Sequence, residues 1–281
     1  MTSCSPAPRP GLRAKRAMFA AGSAARVGAI DTANTRRFAT RGGRGPPPVH
    51  KGFAYYGPHR GKDRTMPAPN AAPSQSILIL ELILLFVAFP LAFRYKPFPF
   101  PPIPALWLLG SYCLYRLVNK PAFNRSLLWN RQALSPALPQ ILVIFAGVAL
   151  LVAAAVYFFA PQMLFSFVKR APAFWVLVMV LYPVLSVYPQ GIIYRTFFFE
   201  RYRVLFPNTT LLIVMSAVAF SFAHIIFRNP IAVIFTLGGG LLFAWRYSET
   251  GSLFTSSFEH ALYGCWMFTI GLGQYFYKGA R

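Results

Sequence analysis

Seven apolar runs, each close to the ~20 residues an α-helix needs to cross a hydrocarbon core, constrain this chain more than any other feature. They cover residues 77–93, 103–118, 141–160, 173–188, 209–227, 231–245 and 253–275. Within hydrocarbon every backbone N–H and C=O must be paired inside the protein. Runs of this length and continuity therefore predict an all-α, polytopic transmembrane helix bundle of about seven or eight spans. The extra span would be 189–206, where Pro189 suits a first helical turn and Phe197, Phe198 and Phe199 continue the apolar character.

Composition agrees: 56% of residues are hydrophobic, 17% aromatic and 12% charged, too apolar a balance for a soluble domain. The net charge of +22 divides into two unlike parts. Residues 1–66 hold 13 Lys and Arg against Asp31 and Asp63, and residues 67–281 hold 15 against Glu81, Glu200, Glu249 and Glu259. The first part is a Gly-, Pro-, Ala- and Arg-rich tail that cannot bury an apolar core and is expected to be disordered. It reads either as an organellar transit peptide, given its Arg-rich, acid-poor stretch from Leu12 to Arg44, or as an over-extended start ahead of Met66. The second reading makes a bacterial inner membrane the expected location. No nucleic-acid-binding fold accompanies the charge, so nucleic acid is not an expected partner; membrane lipid is. The domains are thus 1–66, the tail, and 67–281, the membrane domain.

The breaks between runs are legible in Pro-rich or basic segments: 94–102, Lys120 to Arg131, Lys169-Arg170, and Arg228-Asn229-Pro230 as a tight turn. Basic residues appear at successive breaks, so the positive-inside rule fixes no orientation. Gly238-Gly239-Gly240, Gly264, Gly271 and Gly273 are read as close helix contacts. Cys4, Cys113 and Cys265 are scattered and make neither a disulfide framework nor a thiolate zinc site.

Against this background the ionisable groups inside the runs stand out. Each costs roughly 2.5–3.5 kcal/mol at a span centre, so a chain that carries several normally uses them. They concentrate in three segments: 188–197, with Gln190, Gly191 and Arg195; 220–224, with Phe220 and His224; and 259–264, with Glu259, His260 and Gly264. The expectation is one shared polar centre, because each group needs a partner to be tolerable in lipid.

These residues resemble the CAAX-prenyl-protease and bacteriocin-processing (CPBP, Abi) intramembrane endopeptidases. The pattern of that family is Glu-Glu-x-x-x-Arg, then Phe-x-x-x-His, then His-x-x-x-Asn on successive helices. Arg195 matches the first element, Phe220 with His224 the second, and His260 the third, over about residues 177–277. The resemblance implies a water activated by a motif glutamate together with His224, attack on a peptide bond of a membrane-associated or prenylated protein, and an oxyanion held near His260. Such chemistry combines general-base activation with stabilisation of developing charge. A divalent metal such as zinc is left open by the motif; His224 and His260 would be its ligands.

Two departures bear on activity. The family's glutamates fall on Gln190 and Gly191, and its asparagine falls on Gly264. Gln190 can orient a water but not take its proton, and loss of a general base costs about 10²–10⁴-fold. Residues 191 and 195 are i and i+4, the spacing of a Glu–Arg pair on one helix face, so Arg195 needs another partner. Glu259 is the expected replacement, with Glu200 and Glu249 as membrane-edge runners-up. The sequence therefore supports three functions: a CAAX-protease-like endopeptidase, a catalytically inactive relative acting as a membrane binding or regulatory protein, and a proton-coupled transporter using His224, His260 and Glu259. The absence of an internal repeat counts against the last.

Overall fold

The computed structural model describes residues 74–95 and 101–276, together with Met1. The chain divides into two units at His50, and every helix described below belongs to the second, Lys51–Arg281. The tail expected over residues 1–66 lies outside the described residues, apart from Met1.

Among the described residues the structure is entirely helical. Seven long helices follow one another: α1 Gln75–Tyr95, α2 Pro102–Val118, α3 Arg131–Phe159, α4 Pro172–Tyr202, α5 Thr209–Phe227, α6 Pro230–Thr250 and α7 Leu253–Ile270. Five of them, all but α2 and α7, are long and apolar enough to cross a membrane. The separate span anticipated at 189–206 does not exist, because Pro189 lies inside α4, which runs unbroken for 31 residues, about 46 Å of helix.

Proline inside a helix removes one hydrogen bond and presses its ring against the carbonyl four residues back. In α4 the ladder widens instead of ending. Residues Pro183–Val187 and Ile192–Phe197 form two π-type stretches in which the bonding partner lies five residues away and the crowded carbonyl is displaced. The second of these stretches carries Arg195. α3 likewise begins well before the apolar run that predicted it and takes Pro139 into its interior.

The helix ends follow local chemistry. Pro102, Pro172 and Pro230 occupy first-turn positions, where a missing N–H costs nothing. Asn208, Asn229 and Ser252 cap α5, α6 and α7 by accepting from Leu211, Ala232 and Thr255 N–H groups at 3.1, 2.8 and 3.1 Å. Arg228-Asn229-Pro230 makes the tight turn that the sequence predicts, with Arg228 left-handed at φ 60°.

α5 and α6 pair closely where a side chain on Gly240 would approach Ala217 Cα and Phe220 Cδ1 to 3.1 Å. Of the glycine triplet only Gly240 makes the anticipated close helix contact: Gly238 faces open space and Gly239 meets Phe243 of its own helix. α7 packs against α6, α3 and α4, while α2 lies along α4. The aromatic core fills the space between them, with Phe86, Phe197, Phe198, Phe199 and Tyr202 almost fully buried. α4 and α7 are the two helices that matter most for the polar centre: they run antiparallel, residue 191 facing 253 and 257 while residue 182 faces 260 and 264.

Candidate functional site

Phe220 organises the polar centre. Its ring lies 4.7 Å from the His224 ring, 5.5 Å from the His260 ring and 4.5 Å from the Arg195 guanidinium carbon. Three helices therefore bring the three motif side chains onto one aromatic ring: α4 supplies Arg195, α5 supplies His224 and α7 supplies His260. Phe243 of α6 closes the other side, stacked on His260 at 4.5 Å and lying 5.3 Å from Arg195.

Arg195 is 2% exposed, and neither of its Nη atoms has a hydrogen-bond partner among the described residues. The negative ring faces of Phe220 and Phe243 are its recorded neighbours, a cation–π arrangement. The anticipated partner is elsewhere. Glu259 points away from Arg195 and receives Arg246 Nε at 2.8 Å and Nη2 at 3.3 Å, while Arg246 Nη1 donates to Gln140 Oε1 at 2.8 Å. Adjacent residues on a helix diverge by about 100°, which is why His260 and its neighbour serve different centres. Of the runners-up, Glu200 sits 3.4 Å from Lys120, away from the centre.

The two histidines are held differently. Backbone geometry at the end of α5 brings His224 Nδ1 to 2.7 Å from the Phe220 carbonyl. A carbonyl only accepts, so Nδ1 is the donor, and whenever the ring is neutral its lone pair lies on Nε2. His260, 6% exposed, places Nε2 at 3.3 Å from the Tyr182 hydroxyl, and its Nδ1 has no partner among the described residues.

Of the remaining predicted residues, Gly191 and Gly264 lie along the seam between α4 and α7, while Gln190 is bonded within α4. Gln190 donates from Nε2 to Ser186 Oγ at 2.8 Å, and its buried Oε1 has no partner among the described residues. A Cβ on Gly191 would stand 2.6 Å from Leu253 Cδ1 and 2.9 Å from Ser257 Oγ. One on Gly264 would overlap the Tyr182 ring. Both positions are thus occupied by a neighbour's side chain.

This donor set does not fit a catalytic metal. His224 and His260 converge with a cation, Arg195, and the nearest chain neighbour, Glu259, is committed to Arg246. Catalytic zinc takes three protein ligands, and no cluster of three His, Cys, Asp or Glu occurs among the described residues.

Sequence reasoning missed Tyr182, Phe243, Arg246 and Gln140. Arg246 carried a signal, a charge one residue beyond the end of an apolar run and on the helix that precedes the one bearing Glu259. Tyr182 carried none, because an aromatic in an apolar span looks like any other core residue. No curated protein and no solved structure matches the chain. Residues 171–266, from the start of α4 to near the end of α7, match the family model described as Type II CAAX prenyl endopeptidase Rce1-like, about a third of the chain and the stretch that holds Arg195, His224 and His260.

Proposed function

We propose that this chain is a CAAX-protease-like membrane protein that binds membrane-associated, including prenylated, peptides at the Arg195, His224 and His260 cluster and does not hydrolyse them by a glutamate-dependent route. One observation carries the reading. At 191 and 264, where related proteins carry a carboxylate and a carboxamide, this chain has glycines whose side-chain space is filled by Leu253, Ser257 and Tyr182. The motif carboxylate at 191 is missing, and the ends of neighbouring side chains have settled into its space.

What remains suits recognition. The Arg195 guanidinium, with two unengaged nitrogens, can donate to a peptide carbonyl or carboxylate, and a charge-assisted bond of this kind is stronger than a neutral one. His260 and the Tyr182 hydroxyl offer further polar contacts beside it. A second reading has its own support, because His224 presents a bare Nε2 with its ring fixed by the Phe220 carbonyl, an orientation suited to a histidine general base.

Hydrolysis of a membrane-embedded peptide by the purified protein separates the two. The binding reading expects no turnover by the native chain and measurable turnover by Gln190→Glu/Gly191→Glu. Native turnover that His224→Ala abolishes would establish histidine-driven hydrolysis instead.

A further inference from the structure

A cavity of about 850 Å³ lies between α2, α4 and α7, within the ~300–1,000 Å³ range of sites that hold small molecules. It is separate from the histidine cluster, since Arg195, His224 and His260 are not among its lining residues. Its walls are almost wholly apolar, with Trp107 from α2, Phe145 from α3 and Trp129 from the short helix Ser126–Trp129. Along α7 it extends from Phe254 to Thr269. Fifteen residues of helix measure about 22 Å, whereas one leaflet contributes roughly half of a ~30 Å core. The cavity is long enough for a whole acyl chain.

Its mouth has a definite chemistry. Trp107 and Trp129 are 42% and 54% exposed, so the cavity opens on the side of the bundle. Trp129 stands at the end of its helix, where α3 begins, a place consistent with the aromatic belt at headgroup depth. The Arg131 guanidinium lies 5.7 Å above the Trp129 ring and 5.6 Å from the Phe254 ring, and both rings line the cavity. Arg131 is exposed and forms no ion pair with a carboxylate among the described residues.

We propose that this cavity holds one acyl chain of an anionic glycerophospholipid, with the lipid phosphate against Arg131. A hydrocarbon slot accounts for the chain. The cation held over two rings at its mouth accounts for the headgroup, because guanidinium matches phosphate geometry and charge. A zwitterionic lipid would satisfy the slot but bring its own cation to the rim. A bare isoprenoid would leave Arg131 without a counterpart. The proposal is independent of the peptide-binding reading, since it uses a different surface of α4 and α7.

Native mass spectrometry of the full chain tests it, using phosphatidylglycerol and phosphatidylcholine with identical acyl chains. One phosphatidylglycerol is expected to be retained in preference. Arg131→Gln should reduce that preference about fivefold, the worth of one headgroup-level cation, while leaving phosphatidylcholine retention unchanged. Ala261→Trp, on the cavity wall, should lower retention of both lipids. Since that variant also alters a helix interface, a second measurement uses the unaltered protein. Brominated acyl chains on phosphatidylglycerol should quench tryptophan fluorescence in vesicles more strongly than the same chains on phosphatidylcholine. Equal retention or equal quenching with the two headgroups, or an Arg131→Gln protein that keeps the native preference, would overturn the proposal. Displacement of the bound lipid by an equimolar farnesyl thioether would overturn it in favour of an isoprenoid slot.

Discussion

The Tyr182 hydroxyl lies 3.3 Å from His260 Nε2, and the same tyrosine ring fills the space that any side chain on residue 264 would enter. One residue of α4 thus both contacts the last motif histidine and replaces the polar side chain one turn further along α7. The glycine and the tyrosine are a matched pair: a larger residue at 264 would expel the ring, and a smaller residue at 182 would leave a void beside His260.

That complementarity predicts non-additive mutations. Gly264→Asn alone overpacks the α4–α7 seam and should destabilise the protein by about 1–3 kcal/mol. Tyr182→Ala alone opens a cavity and should cost about 3–5 kcal/mol, as aromatic truncations do. Combined, each relieves the other. Thermal unfolding in detergent should give a coupling energy within the roughly 0.5–3 kcal/mol range for residues in contact, with the double variant more stable than the sum of the two single losses implies.

Position 191 behaves differently because its neighbours are the ends of flexible side chains. A Cβ there meets Leu253 Cδ1 and Ser257 Oγ, both of which can rotate away. Gly191→Glu should therefore fold with a loss of about 1–3 kcal/mol, reduced by Leu253→Ala, which opens room at the same contact. The new carboxylate would stand one turn from Arg195 on the same helix. The thermal stability of Gly191→Glu should accordingly fall when Arg195→Met is added, since that removes its cation.

How much of this was legible beforehand depends on which kind of contact is asked about. The helices follow from hydropathy run length, which acts locally, and the motif spacing named Arg195, His224, His260 and Phe220, which meet on one ring. Continuity of α4 was not legible, because Pro189 reads as the first turn of a separate span unless the ladder widens around it. The ion-pair partners were not legible either. Arg246 and Arg195 look alike as single cations in apolar segments, and only the rotation of α7 decides that Glu259 faces the former. Tyr182 meets residue 264 through helix packing, which no local pattern encodes.

Arg195 in its native setting gives an unusual sign. Its guanidinium is buried, and no carboxylate or hydrogen-bond acceptor reaches either Nη atom among the described residues. A desolvated ion costs several kcal/mol, and ring faces return roughly 2 kcal/mol when desolvated. Arg195→Met keeps the unbranched apolar stem and removes the charge, so it should leave stability unchanged or raise it by about 1–3 kcal/mol. The same substitution should abolish binding of a membrane peptide to the cluster. A melting temperature that rises while peptide affinity falls would identify Arg195 as retained for recognition at the expense of stability.

The Arg246–Glu259 pair should show the opposite behaviour. Arg246 is 2% exposed and Glu259 fully buried, and Gln140 of α3 takes a third guanidinium bond, so the network ties α3, α6 and α7 together. Removing one partner strands a buried charge, and Glu259→Ala or Arg246→Ala should each cost about 3–5 kcal/mol. Replacing both partners with leucine removes both charges and restores apolar contact, so Arg246→Leu/Glu259→Leu should recover most of that loss, as buried ion pairs exchanged for apolar residues do. Gln140 loses its guanidinium donor in that variant, but it is exposed, so no buried polar group is stranded by the exchange. Thermal unfolding of the single and double variants measures each step, and because the network lies away from Phe220, binding of a membrane peptide to the Arg195 cluster should survive in the double variant.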